Sequence, residues 1–271
     1  MMIKKIIHVG DWHIRNFRYH TEYGEIFNIF TLKVKELTSG YDRDEVRIVI
    51  AGDLVHQKIN ITNEQVLLTI RILRELEKIA PLVIIPGNHD LNLSNSTRLD
   101  SITPMVQLLP DLDIKYYTET GCYLDNNIVW DVYSIMTGSD RPNIEDARID
   151  HGDDKTYIGL FHGALIGSST DIGYEIEHGH SLDIFEGNDI VMCADIHKRQ
   201  KLMFKGVPIV FCGSLIQQNF GEKIGKHGFL WWDVATKTYE EYDIETDYGF
   251  YQFKIDSLDD IENGTEKLTN G

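Results

Sequence analysis

Ten residues suited to metal chemistry stand at or just beyond the ends of short apolar runs, in the segments HVGDWH, VIAGDLVH, IIPGNHD, GLFHG and MCADIHK. They are Asp11, His13, Asp53, His56, Asn88, His89, Asp90, His162, Asp195 and His197. Each run reads as a buried strand, which puts all ten at strand ends. In open α/β sheets the carboxyl ends of strands are where ligands bind. Carboxylates, an amide oxygen and imidazoles, with no thiolate among them, suit hard to borderline divalent cations such as manganese rather than zinc. Two such ions about 3.5 to 4 Å apart can stabilise the attacking and leaving oxygens of a phosphoryl centre and lower the pKa of a bridging water. The chemistry expected of the set is hydrolysis of a phosphate ester.

The elements that must position these residues follow from periodicity. Lys4–Val9, Val46–Ala51 and Leu82–Ile85 read as strands, and 22–37 as an amphipathic helix presenting Ile26, Ile29, Phe30, Lys33 and Leu37. Thr62, with Gln65 three residues on, opens a second helix running to about Ile79, with Val66, Thr69, Ile70 and Leu73 at helical spacing. From about Ile114 the pattern turns to short strands: Ile128–Tyr133, Tyr157–Phe161, Ile190–Cys193, Val207–Phe211, Phe229–Val234 and Phe250–Ile255. An α/β half followed by a β-rich half, both supplying ligand types, predicts an α/β protein with two sheets packed together and helices outside. The stretches 138–155 and 163–186 are expected to be long connections.

With 271 residues and 42% hydrophobic content the chain can bury a sizeable core. None of its apolar stretches approaches the roughly 20 residues of a membrane span, and the start lacks the long apolar run of a secretory signal. A cytoplasmic location and no membrane partner are the expectation. Cys122, Cys193 and Cys212 form no CxxC pair and read as free thiols. The net charge of −17 argues against a broad basic footprint for nucleic acid. It does not exclude phosphate chemistry at a metal centre, where bound cations dominate the local field.

The series Asp11-x-His13, Gly52-Asp53-x-x-His56, Gly87-Asn88-His89-Asp90, His162-Gly163 and Asp195-x-His197 resembles, in order and spacing, the five-block signature of the calcineurin-like metallophosphoesterases. The GDWH block, Lys198 after His197 and CGSLIQQNFGE at 212–222 are similar, more narrowly, to the nuclease subunit of SbcCD-type DNA repair complexes, phage relatives included. The resemblance implies a four-layer α/β/β/α sandwich of two mixed sheets and a two-metal phosphodiester hydrolase. The expected enzyme is a manganese- or magnesium-dependent DNA exonuclease or endonuclease of repair, recombination or replication. It implies DNA and a coiled-coil ATPase subunit of the SbcC type as partners, and a homodimer. By the same resemblance Asp11, His13 and His197 hold the first ion, Asp53 bridges, and Asn88 and His162 serve the second. His89, oriented by Asp90, acts on the leaving oxygen, and His56 contacts phosphate or supports the ligands.

One block departs from the family pattern: Ala194-Asp195-Ile196-His197 stands where Gly-His-x-His is usual. Asp195 can still ligate the second ion, but it leaves the centre one unit less positive, which favours manganese or magnesium over softer metals. Lys198, Arg199 and Lys201 form the local basic cluster and are candidates, with Ser214 beside Gly213, for substrate phosphates. Trp12 is read as packing beneath the site, and His178 and His180 as surface residues. Residues 1–245 are expected to be the nuclease domain and 246–271 the start of a truncated or minimal capping segment. A phosphatase or phosphodiesterase acting on proteins or small nucleotides is the alternative reading, and a catalytically silent scaffold a second.

Overall fold

The computed structural model describes residues 1–95, 97–138 and 140–251. The first half alternates β1 (Lys5–Val9), α1 (His20–Thr38), β2 (Val46–Ile50), α2 (Asn63–Glu77), β3 (Leu82–Ile84), α3 (Ile102–Gln107) and β4 (Ile114–Tyr116). The second runs through β5 (Gly121–Asp125), β6 (Ile128–Tyr133), α4 (Ile144–His151), β7 (Thr156–His162), β8 (Ile190–Ala194), β9 (Gln200–Phe204), β10 (Val207–Phe211), β11 (Gly228–Asp233) and β12 (Thr238–Asp243). The central strands are buried almost throughout, as a parallel sheet covered on both faces requires.

Two six-stranded mixed sheets result, ordered β12-β11-β1-β2-β3-β4 and β5-β6-β7-β8-β10-β9. Alternation along each strand divides the core. Ile6, Val49, Val83 and Trp232 of the first sheet meet Trp130, Val132, Leu160, Met192 and Val210 of the second. The opposite face of the first sheet, with Ile7, Val9, Ile48, Ile50 and Trp231, packs under α1 and α2. The outer face of the second is covered by α4, through Ile144 and Ala147, and by Leu165, Ile184 and Phe185 of the 163–186 connection. This is the expected α/β/β/α sandwich, with an outer fourth layer that is partly loop.

Several elements differ from expectation. The buried face of α1 is Tyr23, Ile26, Phe27, Phe30 and Val34, and Ile29 is 39% exposed, outside that face. The large aromatic rings set the rotation of the helix. On α2 the core positions are Leu68, Thr69, Ile72, Leu73 and Leu76. Thr62 caps α2 by accepting from Gln65 N, but the Gln65 side chain donates instead to Ile14 O, tying α2 to the loop after β1. Short α3, α4, β5, β9 and β12 are additional to the elements expected. Part of the strand expected over Phe250–Ile255, and most of 246–271, lie outside the described residues.

At one end the sheets are joined by charge. Arg47 of β2 makes a bidentate pair with Asp125 of β5 at 2.8 and 2.9 Å, and Lys115 adds a contact of 2.7 Å. Although burial opposes it, Arg47 and Lys115 hold the Asp125 carboxyl down at about 2. At the other end, just beneath the strand ends, the sheets approach through small residues. A Cβ on Gly10 would lie 2.8 Å from the Ala194 Cβ. Gly10→Val is therefore expected to cost about 1–3 kcal/mol by overpacking, read as a lower urea midpoint with unchanged slope.

Candidate metal centre

Five loops leave the carboxyl ends of β1, β2, β3, β7 and β8 on one side of the sandwich, and all ten residues singled out above come from these loops or the strand ends themselves. Four hold left-handed backbones that side chains rarely adopt: Asp11 (φ 50°), His13 (φ 49°), Asp53 (φ 56°) and Asp195 (φ 94°). Such conformations persist only where surrounding structure holds them, and they cluster at functional sites. The glycines are as constrained. A Cβ on Gly52 would lie 2.5 Å from His162 Nδ1, and one on Gly87 would overlap Asp53.

The side chains converge in three overlapping trios, Asp11–His13–His197, Asp11–Asp53–His162 and His13–His56–His89, with ligand-type atoms within 4.8 Å of one another in each. His13 Nε2 and His197 Nε2 face each other at 3.0 Å. Asp53 lies between the histidines, its Oδ2 3.5 Å from His13 Nε2 and its Oδ1 3.4 Å from His162 Nε2. His162 donates through Nδ1 to Ala51 O at 2.7 Å, which turns Nε2 inward. Asp195 is drawn in as well: its N–H donates to both oxygens of Asp11 at 3.1 Å, and its Oδ1 accepts from Asn88 Nδ2 at 2.9 Å.

Two atoms test whether this donor set suits cations. Asn88 Oδ1 and His162 Nε2 are buried without a hydrogen-bond partner, and orphaned buried polar atoms call for an explanation such as an ion. The residues fit. Burial also pushes the Asp11 carboxyl up to about 7. Against the effect of burial, Asp53 raises His162 to about 10, and Glu222 raises His197 to about 9. Without cations the cluster therefore neutralises its carboxylates with protons.

Asp90 does not orient His89. Its buried carboxylate accepts backbone N–H bonds from Asp53 at 2.8 Å, Gly87 at 2.9 Å and Val55 at 3.1 Å, pinning the turn that presents Asp53. His89 is oriented by the His56 carbonyl, to which Nδ1 donates at 2.6 Å. His56 Nε2 faces Arg15 Nη1 at 3.2 Å, and because arginine only donates, His56 accepts there. Burial and then Arg15 lower His56 to about 4.

The basic cluster is rearranged too. Arg199 pairs with Glu241 at 3.1 Å and Asp243 at 2.7 Å, so its charge is spent on β12 and not on a substrate. Lys198 donates to Ser169 Oγ at 2.7 Å. Ser214 is fully buried, its hydroxyl 2.9 Å from His227 Nδ1 and its N–H donating to His197 O, which removes it as a phosphate contact. Trp12 is fully buried against Phe27, and His178 and His180 are exposed. Sequence reasoning missed two residues. Glu222 accepts from His197 Nδ1 at 2.7 Å, a carboxylate–histidine pairing that fixes a ligand's orientation; it ends the segment 212–222, the one available signal. Arg15 stands two residues after His13, with no pattern to mark it.

Asp90→Asn would set an amide N–H against one of the three backbone donors, an expected loss of about 1–3 kcal/mol, read as a lower melting temperature together with weaker manganese binding. Because His162, His197 and part of the Asp11 population carry protons at neutral pH, a binding cation must displace them. Manganese binding is expected to release protons at pH 7 and to tighten as pH rises toward about 9 to 10, checked by calorimetry in buffers of different ionisation heat. Absence of proton release would contradict this electrostatic account.

Comparison with known proteins places the chain. Uncharacterized protein R555 of Acanthamoeba polyphaga mimivirus is 36% identical over 262 residues, covering 93% of this chain, which spans only 19% of that relative's length. The crystal structure of TT1561 of Thermus thermophilus superposes over 90% of this chain and 100% of its own, with a TM-score of 0.54 at 12% identity, a likeness of fold. The calcineurin-like phosphoesterase family model matches residues 4–213, and the chain belongs to that family.

Proposed function

We propose that this protein is a two-metal phosphodiesterase that cuts DNA. Asp11, His13, Asp53 and His197 would hold one cation, and Asp53, Asn88, His162 and Asp195 the other, with manganese or magnesium suited to so many oxygen donors. Bound there, the pair would supply Lewis acidity toward a phosphoryl oxygen and an activated water for attack at phosphorus.

The observation that carries the reading is the placement of His89. Its Nδ1 proton is committed to the His56 carbonyl, its ring stands 4.7 Å from that of His13, and the side chain is only partly buried. Nε2 is then the ring nitrogen left to meet the leaving oxygen, and His89 protonated at both nitrogens can give its Nε2 proton to a departing alkoxide and return to the neutral Nδ1–H form, the step a diester of a poor leaving group needs most. Arg15 and His56 stand alongside, where a guanidinium can bind phosphoryl oxygens. Glu222 holds His197 and Asp90 holds the Asp53 turn, so neither needs to touch substrate.

DNA as the substrate rests on the likeness of 212–222 to the SbcCD-type nucleases. That segment packs against the centre through Glu222 and Gln218, which donates to Trp12 O. A coiled-coil ATPase partner, a homodimer and a role in DNA repair, recombination or replication belong to the same reading. The net charge of −17 and the neutralised Arg199 favour a second reading, a phosphodiesterase or phosphatase of small substrates that needs no long basic track.

End-labelled linear duplex DNA and an activated small diester, each with manganese and with Asp53→Ala as the blank, separate the two. Degradation of DNA that is lost in the variant is the expected result. Cleavage of the small diester alone would shift the assignment to the second reading, and cleavage of neither would sink both. His89→Ala is expected to lower kcat by about 10²–10⁴-fold on DNA while leaving the calorimetric manganese affinity close to that of the unaltered protein.

A further inference from the structure

Beside the metal centre lies a cavity of about 270 Å3 whose lining includes Arg15, Tyr19, Gln218 and Phe250. Arg15 forms its wall toward the ligands. Nη1 reaches His56 and Nη2 donates to Gln218 O at 3.0 Å, so the guanidinium is fixed in place by two neutral partners. Unlike Arg199, it has no carboxylate within ion-pair reach among the described residues. An immobilised, unpaired guanidinium next to a phosphoesterase centre is complementary to a phosphate.

The cavity is also aromatic. Tyr19, at 42% exposure, meets Phe250 edge-on with ring centroids 6.2 Å apart, and the 63% exposed Phe220 meets Phe250 at 5.3 Å. Rings left open to solvent beside a cation are the elements of a stacking platform for bases. Glu22 and Asp247 also line the cavity and offer acceptors for a base N–H, such as N3–H of a thymine.

Resting on the phosphodiesterase reading above, we propose that this cavity takes the nucleobase attached to the scissile phosphate, with Arg15 on the phosphate and the Tyr19 and Phe250 rings on the base. A base lodged in a cavity has left its stack, so the strand enters single or frayed. The site is a specificity element that acts on one nucleotide and needs no basic track.

The test compares methyl p-nitrophenyl phosphate with thymidine 5′-(p-nitrophenyl) phosphate, using the full chain with manganese. Both share a leaving group and differ in the nucleoside. The expected result is a higher kcat/KM for the nucleoside ester by about 5- to 150-fold, the worth of one stacked base. Tyr19→Ala should collapse that ratio through KM, and Tyr19→Phe, which keeps the ring, should retain it. Hydrolysis of both esters with equal kcat/KM would overturn the cavity while leaving the phosphodiesterase reading intact. Should neither ester be hydrolysed, that reading fails, and binding of thymidine 5′-monophosphate to chelator-treated protein decides the cavity by itself. Weaker binding by Tyr19→Ala than by the unaltered chain supports it, and equal or absent binding overturns it.

Discussion

Asp11, Asp53 and Asp195 are drawn together at the junction of two facing sheets, where like charges out of water repel strongly and each is costly to desolvate. His13, His162, His197 and the amide of Asn88 interleave with them, so every carboxylate has an imidazole or an N–H against it. The arrangement is balanced only when positive charge is added, as protons on His162, His197 and Asp11 or as cations in their place. Much of the local architecture exists to hold this unfavourable gathering: the small contact of Gly10 with Ala194, the side-chain-free turns at Gly52 and Gly87, and the pinning of the Asp53 turn by Asp90.

The constraint accounts for the strain at the strand ends. Four ligand-type residues adopt left-handed backbones, and a rigid scaffold must supply the energy that holds them there. The hydrophobic layer between the sheets and the Arg47–Asp125–Lys115 junction at the far end provide that scaffold. The loops bearing the ligands therefore project from strands with little freedom to relax, and a geometry unsuited to an isolated peptide is stable in the folded chain.

Charge is partitioned with similar economy. A chain of net charge −17 cannot attract a polyanion over its whole surface, and one arginine near the centre, Arg199, is neutralised by Glu241 and Asp243. Arg15 remains, held by neutral partners. Among the described residues, unspent guanidinium charge beside the centre is thereby concentrated on Arg15.

The sandwich and the ten residues at its strand ends were legible in the sequence, because buried parallel strands announce themselves as apolar runs and each site residue lies at or just beyond the end of one. Blocks such as Gly87-Asn88-His89-Asp90 state which residue types are present, but not which atoms meet. Tertiary structure alone decided that Asp90 serves three backbone N–H groups and not His89, that Ser214 and Arg199 are consumed internally, and that Glu222 and Arg15 join the centre. It also rotated α1 away from Ile29. The physical reason is range. Strand burial follows from neighbours a few residues apart, whereas the partner of a carboxylate or guanidinium is chosen by whichever loop the two sheets bring within about 3 Å, and those loops can lie as far apart as Arg15 and Gln218, 203 residues.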